Sequence, residues 1–222
     1  MSSFQVKSQS SLLTRAIFAA AAVIFSMLTV TPQAAAQASI VDFDLAPNPG
    51  VVKCLGVPNG PTPTAHVHVV RGKQNDTLTL TASNIRPNLA FDVFTVQRSN
   101  LRANGTVNPD VKNFGFAWYQ SDLQANAQGN ASVVIKTILL DQIFGFDPDL
   151  SPTPFNTFNI GFWFNDPADA QACGFDVTKP TPFNGEHRAG PVAMISLPNP
   201  NTNLGPLCTN PNHTTTPVSC NP

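Results

Sequence analysis

Two histidines separated by one residue are the most chemically suggestive feature of this sequence. His66 and His68 lie in the segment AHVHVVRG, where the alternation of residue types is typical of a β-strand. Side chains point the same way every second residue along a strand, so both imidazoles are expected on one face. Such a pair could bind a single Zn or Cu ion, with His187 as a third ligand and Glu186 or Asp92 as a fourth. The alternative is an ordinary strand whose exposed face carries two histidines.

A second set of candidate residues is aromatic. In FNIGFWF (158–164) the alternation places Trp163 on the same face as Asn159, Gly161 and the following Asn165. In FGFAWYQ (114–120) it places Tyr119 opposite Trp118. An indole or phenol ring above small residues can stack on a sugar ring, which predicts a carbohydrate-binding surface at Trp163 and Tyr119. Large aromatic residues are more often buried, so the alternative is that both strands are central and contribute to the core.

Sequence signatures of common enzyme classes are absent. The chain has no G-x-S-x-G, no H-E-x-x-H, no P-loop and no glycine-rich dinucleotide motif. Glu186 is the single glutamate, and nothing marks a pair of carboxylates for acid–base chemistry. We therefore expect a non-catalytic protein with no cofactor other than the Zn or Cu ion considered above.

The four cysteines point to an oxidising compartment. An even number of cysteines without a C-x-x-C motif indicates disulfides rather than a zinc site. Three pairings are open, and we favour Cys54–Cys173 with Cys208–Cys220, because the second pair closes a short loop.

The elements that must position these residues are predicted to be β-strands. Helix formers are scarce, because proline and asparagine are abundant and charged residues make up only 11% of the chain. About seven segments alternate as strands do and are separated by turn-rich connections, which predicts an all-β protein. These segments are 66–71, 77–82, 91–97, 114–120, 131–137, 158–164 and 192–197.

Two stretches of this sequence resemble a known class of module. DTLTLTASNIRPNLAFDVFTVQ and DLQANAQGNASVVI are similar to strand–turn–strand units of immunoglobulin-like and fibronectin-like secreted modules. This resemblance implies a single immunoglobulin-like β-sandwich of about seven strands and implies no activity. The proline- and asparagine-rich segments 46–64 and 198–222 are expected to be irregular and tied down by the disulfides. The chain also resembles exported bacterial proteins of unknown function.

The first 38 residues have the pattern of a secretory signal peptide. Lys7 and Arg15 precede an apolar run of about fifteen residues, and small residues follow at Ala36 and Ala38. Cleavage after Ala38 would leave one secreted domain, residues 39–222, with 10 basic and 13 acidic residues and a net charge of −3. This weak charge disfavours nucleic acid or a membrane as partner and leaves an extracellular glycan or protein.

Overall fold

The structure is a computed structural model that describes residues 40–112, 114–115, 117–138, 159–178 and 190–221. Its regular structure is almost entirely β. The strands are β1 (Ile40–Pro47), β2 (Thr64–Val70), β3 (Asp76–Ser83), β4 (Ala90–Val96), β5 (Ala117–Gln124), β6 (Ala131–Ile138), β7 (Asn159–Phe164), β8 (Val192–Ser196), β9 (Pro211–Asn212) and β10 (Ser219–Cys220). One helical turn, α1 (Val52–Leu55), and one 3-10 helix, Pro167–Cys173, accompany them. The predicted all-β class is confirmed.

Eight strands form one antiparallel sheet in the order β5-β4-β7-β8-β1-β2-β3-β6, and β9 pairs with β10. Strand β1 has two partners along its length. It pairs with β2 from Ile40 to Leu45 and with β8 from Leu45 to Pro47. It thereby joins β2-β3-β6 to β8-β7-β4-β5. The outermost strands, β5 and β6, also come into contact, so the sheet curls around its core.

The main core consists of apolar residues of α1 and of the connections between strands, together with the alternate side chains that face the inside of this sheet. They come from both halves of the strand order, and the aromatic ring of Phe91 packs edge-on against Phe162 at 4.9 Å between centroids. Burying such side chains contributes roughly 1.5–3 kcal/mol each. The largest of those that are fully buried are Leu55, Leu78, Leu80, Ile85, Phe91, Leu123, Ile160, Phe162 and Phe164.

A second, smaller core covers the other face of β4, β7 and β8. It is built around Trp163 and is covered by the long connection between β4 and β5, which contributes Leu101 and Phe114. Strand β7 is consequently buried on both faces along its whole length. The structure thus agrees with the alternative interpretation of segment 158–164, a central strand that contributes to the core.

Both predicted disulfides are present. Cys54 of α1 is bonded to Cys173 at the end of the 3-10 helix, and Cys208 is bonded to Cys220 of β10. Two disulfides indicate an oxidising environment. Within the described ranges, no helix is long and apolar enough to cross a membrane.

The structure corrects several predicted element boundaries. The strand predicted at 114–120 lies further along the chain, where β5 runs from Ala117 to Gln124. Strand β1 was not predicted, although Val41, Phe43 and Leu45 alternate with aspartates there. The segments predicted to be irregular also contain regular structure, namely the last residues of β1 and α1 in 46–64, and the β9–β10 hairpin in 198–222.

Candidate functional site

The histidines of β2 lie directly opposite two aspartates of β1. The strands pair so that Asp42 faces His68 and Asp44 faces His66. Directly opposite residues on antiparallel strands have their Cβ atoms about 4.5–5.5 Å apart, close enough for side-chain contact. Leu45 of β1 and Val67 of β2 point into the core, and side chains alternate in direction along a strand. The aspartates and histidines at the alternate positions therefore point outward.

These four side chains form one connected group, which we name the Asp–His cluster (Asp42, Asp44, His66 and His68). Asp44 Oδ1 lies 2.8 Å from His66 Nδ1, and Asp42 Oδ1 lies 3.2 Å from His66 Nε2. The same Asp42 oxygen lies 2.6 Å from His68 Nδ1. Both ring nitrogens of His66 therefore contact carboxylates, and both can donate only when the ring is protonated.

The electrostatics of the Asp–His cluster follow from these contacts. The hydrogen bond to Asp44 raises the pKa of His66, with a further contribution from Asp42, while burial opposes the shift. The hydrogen bond from His68 lowers the pKa of Asp42, burial acts against it, and His66 lowers it further. Each shift favours the charged form, so the cluster stabilises an imidazolium beside a carboxylate.

The predicted metal ligands come together only in part. His66 and His68 share an exposed face, but among the residues that the structure describes no three His, Cys, Asp or Glu side chains are placed to hold a metal ion. The other predicted ligands, His187 and Glu186, lie outside the described residues. Asp92 is on β4, where it accepts a hydrogen bond from Asn165 at 3.0 Å.

A solvent-open cavity of about 380 Å³ adjoins the Asp–His cluster at Asp44 and His66. It lies where β1 leaves β2 to pair with β8, beyond the last β1–β2 pair at Leu45. Its walls combine hydroxyl groups with the apolar rings of two prolines. The lining residues are Asp44, Leu45, Pro47, Pro63, Thr64, Ala65, His66, Thr81 and Ser83.

The structure corrects the predicted role of Trp163. Its side chain is 1% exposed and packs edge-on against Phe94 and Phe114, with ring centroids 5.4 and 5.1 Å away. The ring lies beneath the β4–β5 connection, which covers this face of β7. Trp163 is therefore a core residue and does not offer a stacking surface to a ligand.

Tyr119, in contrast, is 50% exposed on β5, where its ring meets the edge of Phe94 at 5.7 Å. Its hydroxyl donates a hydrogen bond to Asp122 at 2.7 Å. Burial raises the pKa of Tyr119 to about 12, and the hydrogen bond to Asp122 and the charge of Asp92 add to the effect. The phenol is thus held as a neutral donor.

Sequence reasoning missed the exposure of Trp118, which the alternation places opposite Tyr119 and which is 51% exposed. Trp118 belongs to an outermost strand of the sheet, and the register shifts just after it, between the pairs Val93–Ser121 and Phe94–Tyr119. An outermost strand has a neighbouring strand on one side only, so its side chains can stay partly exposed on either face. Knowledge of the strand order would have been needed to predict this.

No protein family model matches this chain, and no curated protein or solved structure matches it either. What the protein does must therefore be inferred from the chemistry of the surfaces described above.

Proposed function

We propose that this is an exported, non-catalytic protein that binds a ligand or partner outside the cell through the outer face of β1, β2 and β3. The observation that carries the proposal is the position of the Asp–His cluster. It is an exposed, mutually hydrogen-bonded polar group at the rim of an open cavity. A few convergent polar groups in such a depression are typical of a binding site.

The openness of the Asp–His cluster favours binding over catalysis. Catalytic groups gain most of their electrostatic effect in a site that excludes water. Here the Asp44 side chain is 84% exposed, and the imidazoles of His66 and His68 are nearly half exposed. Charges in such surroundings are strongly screened, which suits reversible recognition better than stabilisation of a transition state.

Export is supported by the sequence and by the disulfides. The signal-like residues 1–38, with cleavage expected after Ala38, would direct the mature chain to a compartment where both disulfides can persist. The net charge of −3 expected for residues 39–222 disfavours binding to nucleic acid or anionic lipid. An extracellular glycan or protein is the proposed kind of partner.

We further propose that the fold is an immunoglobulin-like β-sandwich. If the strand order is divided at β1, the two parts are β2-β3-β6 and β8-β7-β4-β5. These orders match strands A-B-E and G-F-C-C′ of immunoglobulin domains. The common core shared by residues of both parts supports this assignment. A solved structure with two separate layers joined through β1 would establish it, and a single closed sheet would contradict it.

The proposed function is tested in two steps. The full chain is expressed in a bacterium with a secretion system, and N-terminal sequencing of the released protein is expected to begin at Ser39. The mature protein, labelled with a dye, is then incubated with the insoluble extracellular fraction of the producing cells. We expect retention of the native protein and loss of retention in Asp44→Asn/His66→Gln.

A matched control is available for this binding experiment. Asp110→Asn/His213→Gln makes the same two changes at exposed positions far along the chain, and retention is expected to stay at the native level. Circular dichroism verifies that both variants fold. Equal retention of the native protein and Asp44→Asn/His66→Gln would contradict a binding role for this face.

A mononuclear Zn or Cu site remains the second candidate function. It is favoured by the position of His66 and His68 at alternate positions on the outer face of β2, although the described residues supply no third ligand. Mass spectrometry of the mature, untagged protein measures the metal, with His66→Ala/His68→Ala as the comparison. About one Zn or Cu ion per chain, lost in the variant, would support this candidate. A metal-free protein and a normally folded variant would contradict it.

A further inference from the structure

We propose that the cavity beside Asp44 and His66 binds a neutral sugar residue of an extracellular saccharide. This inference rests on the proposed binding function and names the class of ligand for the same face. The cavity carries the proposal because its shape, its polar groups, its charge and its apolar walls all suit such a ligand.

The shape of the cavity follows from the path of β1. Strand β1 pairs with β2 up to Leu45 and then diverges towards β8, while β2 continues back to Thr64. The gap between the diverging strands has a volume of about 380 Å³, near the lower end of the range of small-molecule sites. Because the gap is open to solvent, one sugar unit of a longer saccharide can enter it from the side.

The polar lining demands a ligand with many hydrogen-bonding groups. The hydroxyls of Thr64, Thr81 and Ser83 can each donate and accept, and they share the cavity with Asp44 and His66. A purely apolar ligand would desolvate these groups without replacing their hydrogen bonds, which is costly. A sugar residue offers adjacent hydroxyls that can donate to the carboxylate of Asp44 and exchange hydrogen bonds with the hydroxyls of the lining.

The charge of the lining selects against acidic sugars. Asp44 lines the cavity, and none of the lining residues is a lysine or arginine. The one group there that can carry a positive charge, His66, already lies between Asp44 and Asp42. A uronate or sulfate group would meet the exposed carboxylate of Asp44 without a cation to balance it.

The apolar part of the lining suits the C–H face of a sugar ring. The half-buried ring of Pro47 lines the gap, and the buried residues Leu45, Pro63 and Ala65 complete its apolar lining. Proline rings are rigid, so they lose little conformational freedom when a ligand packs against them. The exposed ring of Tyr119 is not part of this cavity.

The test is an NMR titration of the ¹⁵N-labelled mature protein with four neutral oligosaccharides: cellohexaose, xylohexaose, maltohexaose and chitohexaose. An acidic oligogalacturonate is the fifth probe. At least one neutral probe is expected to shift the amide signals of Thr64, His66, Thr81 and Ser83, and the acidic probe is not. Asp44→Asn should weaken the binding about tenfold or more, because a hydrogen bond to a charged group is lost.

Asp110→Asn, the same substitution at another exposed position, should leave the affinity unchanged. Each remaining outcome overturns the inference. If no probe shifts these amides, or if only the acidic probe does, the cavity does not bind a neutral sugar. If shifts centre on Tyr119 and disappear in Tyr119→Ala, the sugar site is elsewhere. Retention of the native protein on extracellular material would, in these cases, still support the proposed binding function.

Discussion

Asp44 and His66 are directly opposite residues of β1 and β2, and Asp44 Oδ1 lies 2.8 Å from His66 Nδ1. Because Asp42 contacts the other ring nitrogen, the imidazole of His66 is held between two carboxylates of a single strand. The pair thus joins β1 to β2 at the position where these strands begin to diverge. The same two side chains form part of the rim of the cavity.

The Asp–His cluster predicts how the stability of the protein depends on pH. The pKa of His66 is raised above 6.5 in the folded state, so its contribution is complete below pH 6.5 and is lost as the pH rises through the folded pKa. The pKa of Asp42 is lowered below 3.8, so its contribution is complete above pH 3.8 and is lost as the pH falls through the folded value. Both contributions are present between pH 3.8 and 6.5.

Urea unfolding between pH 4 and pH 9 measures this dependence. The free energy of unfolding is expected to fall as the pH rises through the folded pKa of His66, and the fall should be smaller in His66→Gln. His213→Gln, which changes a histidine of the β9–β10 hairpin, serves as the control. A raised His66 pKa should also be visible directly by NMR, and a value at or below 6.5 would contradict the described contacts.

The buried position of Trp163 predicts a large loss of stability on truncation. Trp163→Ala removes a ring enclosed by Phe94 and Phe114, which should lower the free energy of unfolding by about 3–5 kcal/mol. Trp118→Ala changes a half-exposed residue and should cost clearly less, because much of its ring already meets water. Urea unfolding followed by circular dichroism compares the two. Similar losses of unfolding free energy in the two variants would contradict the difference in burial between Trp163 and Trp118.

The two disulfides should contribute unequally to stability. The Cys54–Cys173 bond spans 119 residues and the Cys208–Cys220 bond spans 12. The entropy of loop closure then gives stabilisations of about 5 and about 3 kcal/mol. Replacing both cysteines of one disulfide by alanine, followed by urea unfolding, is expected to give this order of stability losses. Non-reducing peptide mapping verifies the pairing. The reverse order would show that local packing outweighs chain entropy.

Tyr119 can be titrated without interference because it is the single tyrosine of the chain. Phenolate absorbance should report a pKa of about 12, against an ordinary value of 10. Its contribution to stability should therefore be complete below pH 10 and disappear as the pH rises through about 12. In Asp122→Asn the pKa should decrease, because the bonded carboxylate is removed, whereas Asp110→Asn should leave it unchanged. Ionisation of native Tyr119 at its ordinary value would contradict the described surroundings.

The sequence predicts the central strands well, because their alternation is made by strongly apolar residues. Leu78 and Leu80 alternate with threonines, and β3 extends only one residue beyond the predicted segment at each end. Strand β1 was harder to recognise, since Asp42 and Asp44 are uncommon in strands. They are tolerated because each meets a histidine of β2. That stabilisation becomes visible only once the pairing of β1 with β2 is known.

The sequence predicts the two histidines of the candidate site but not the residues that surround them. A two-residue spacing is enough to place His66 and His68 on one face. It says nothing about which strand lies beside them, so the aspartate partners and the cavity could not be predicted. For Trp163, alternation correctly separates the two faces of β7 but cannot show that the β4–β5 connection covers the outer one.

The contrasting surroundings of the two tryptophans provide two built-in optical probes. Trp163 is shielded from water, so its emission should be blue-shifted and resistant to acrylamide, while the half-exposed Trp118 should be quenched. Trp118→Phe would leave a single emitter inside the smaller core. Its spectrum would then follow the opening of that core separately from global unfolding, without any added label.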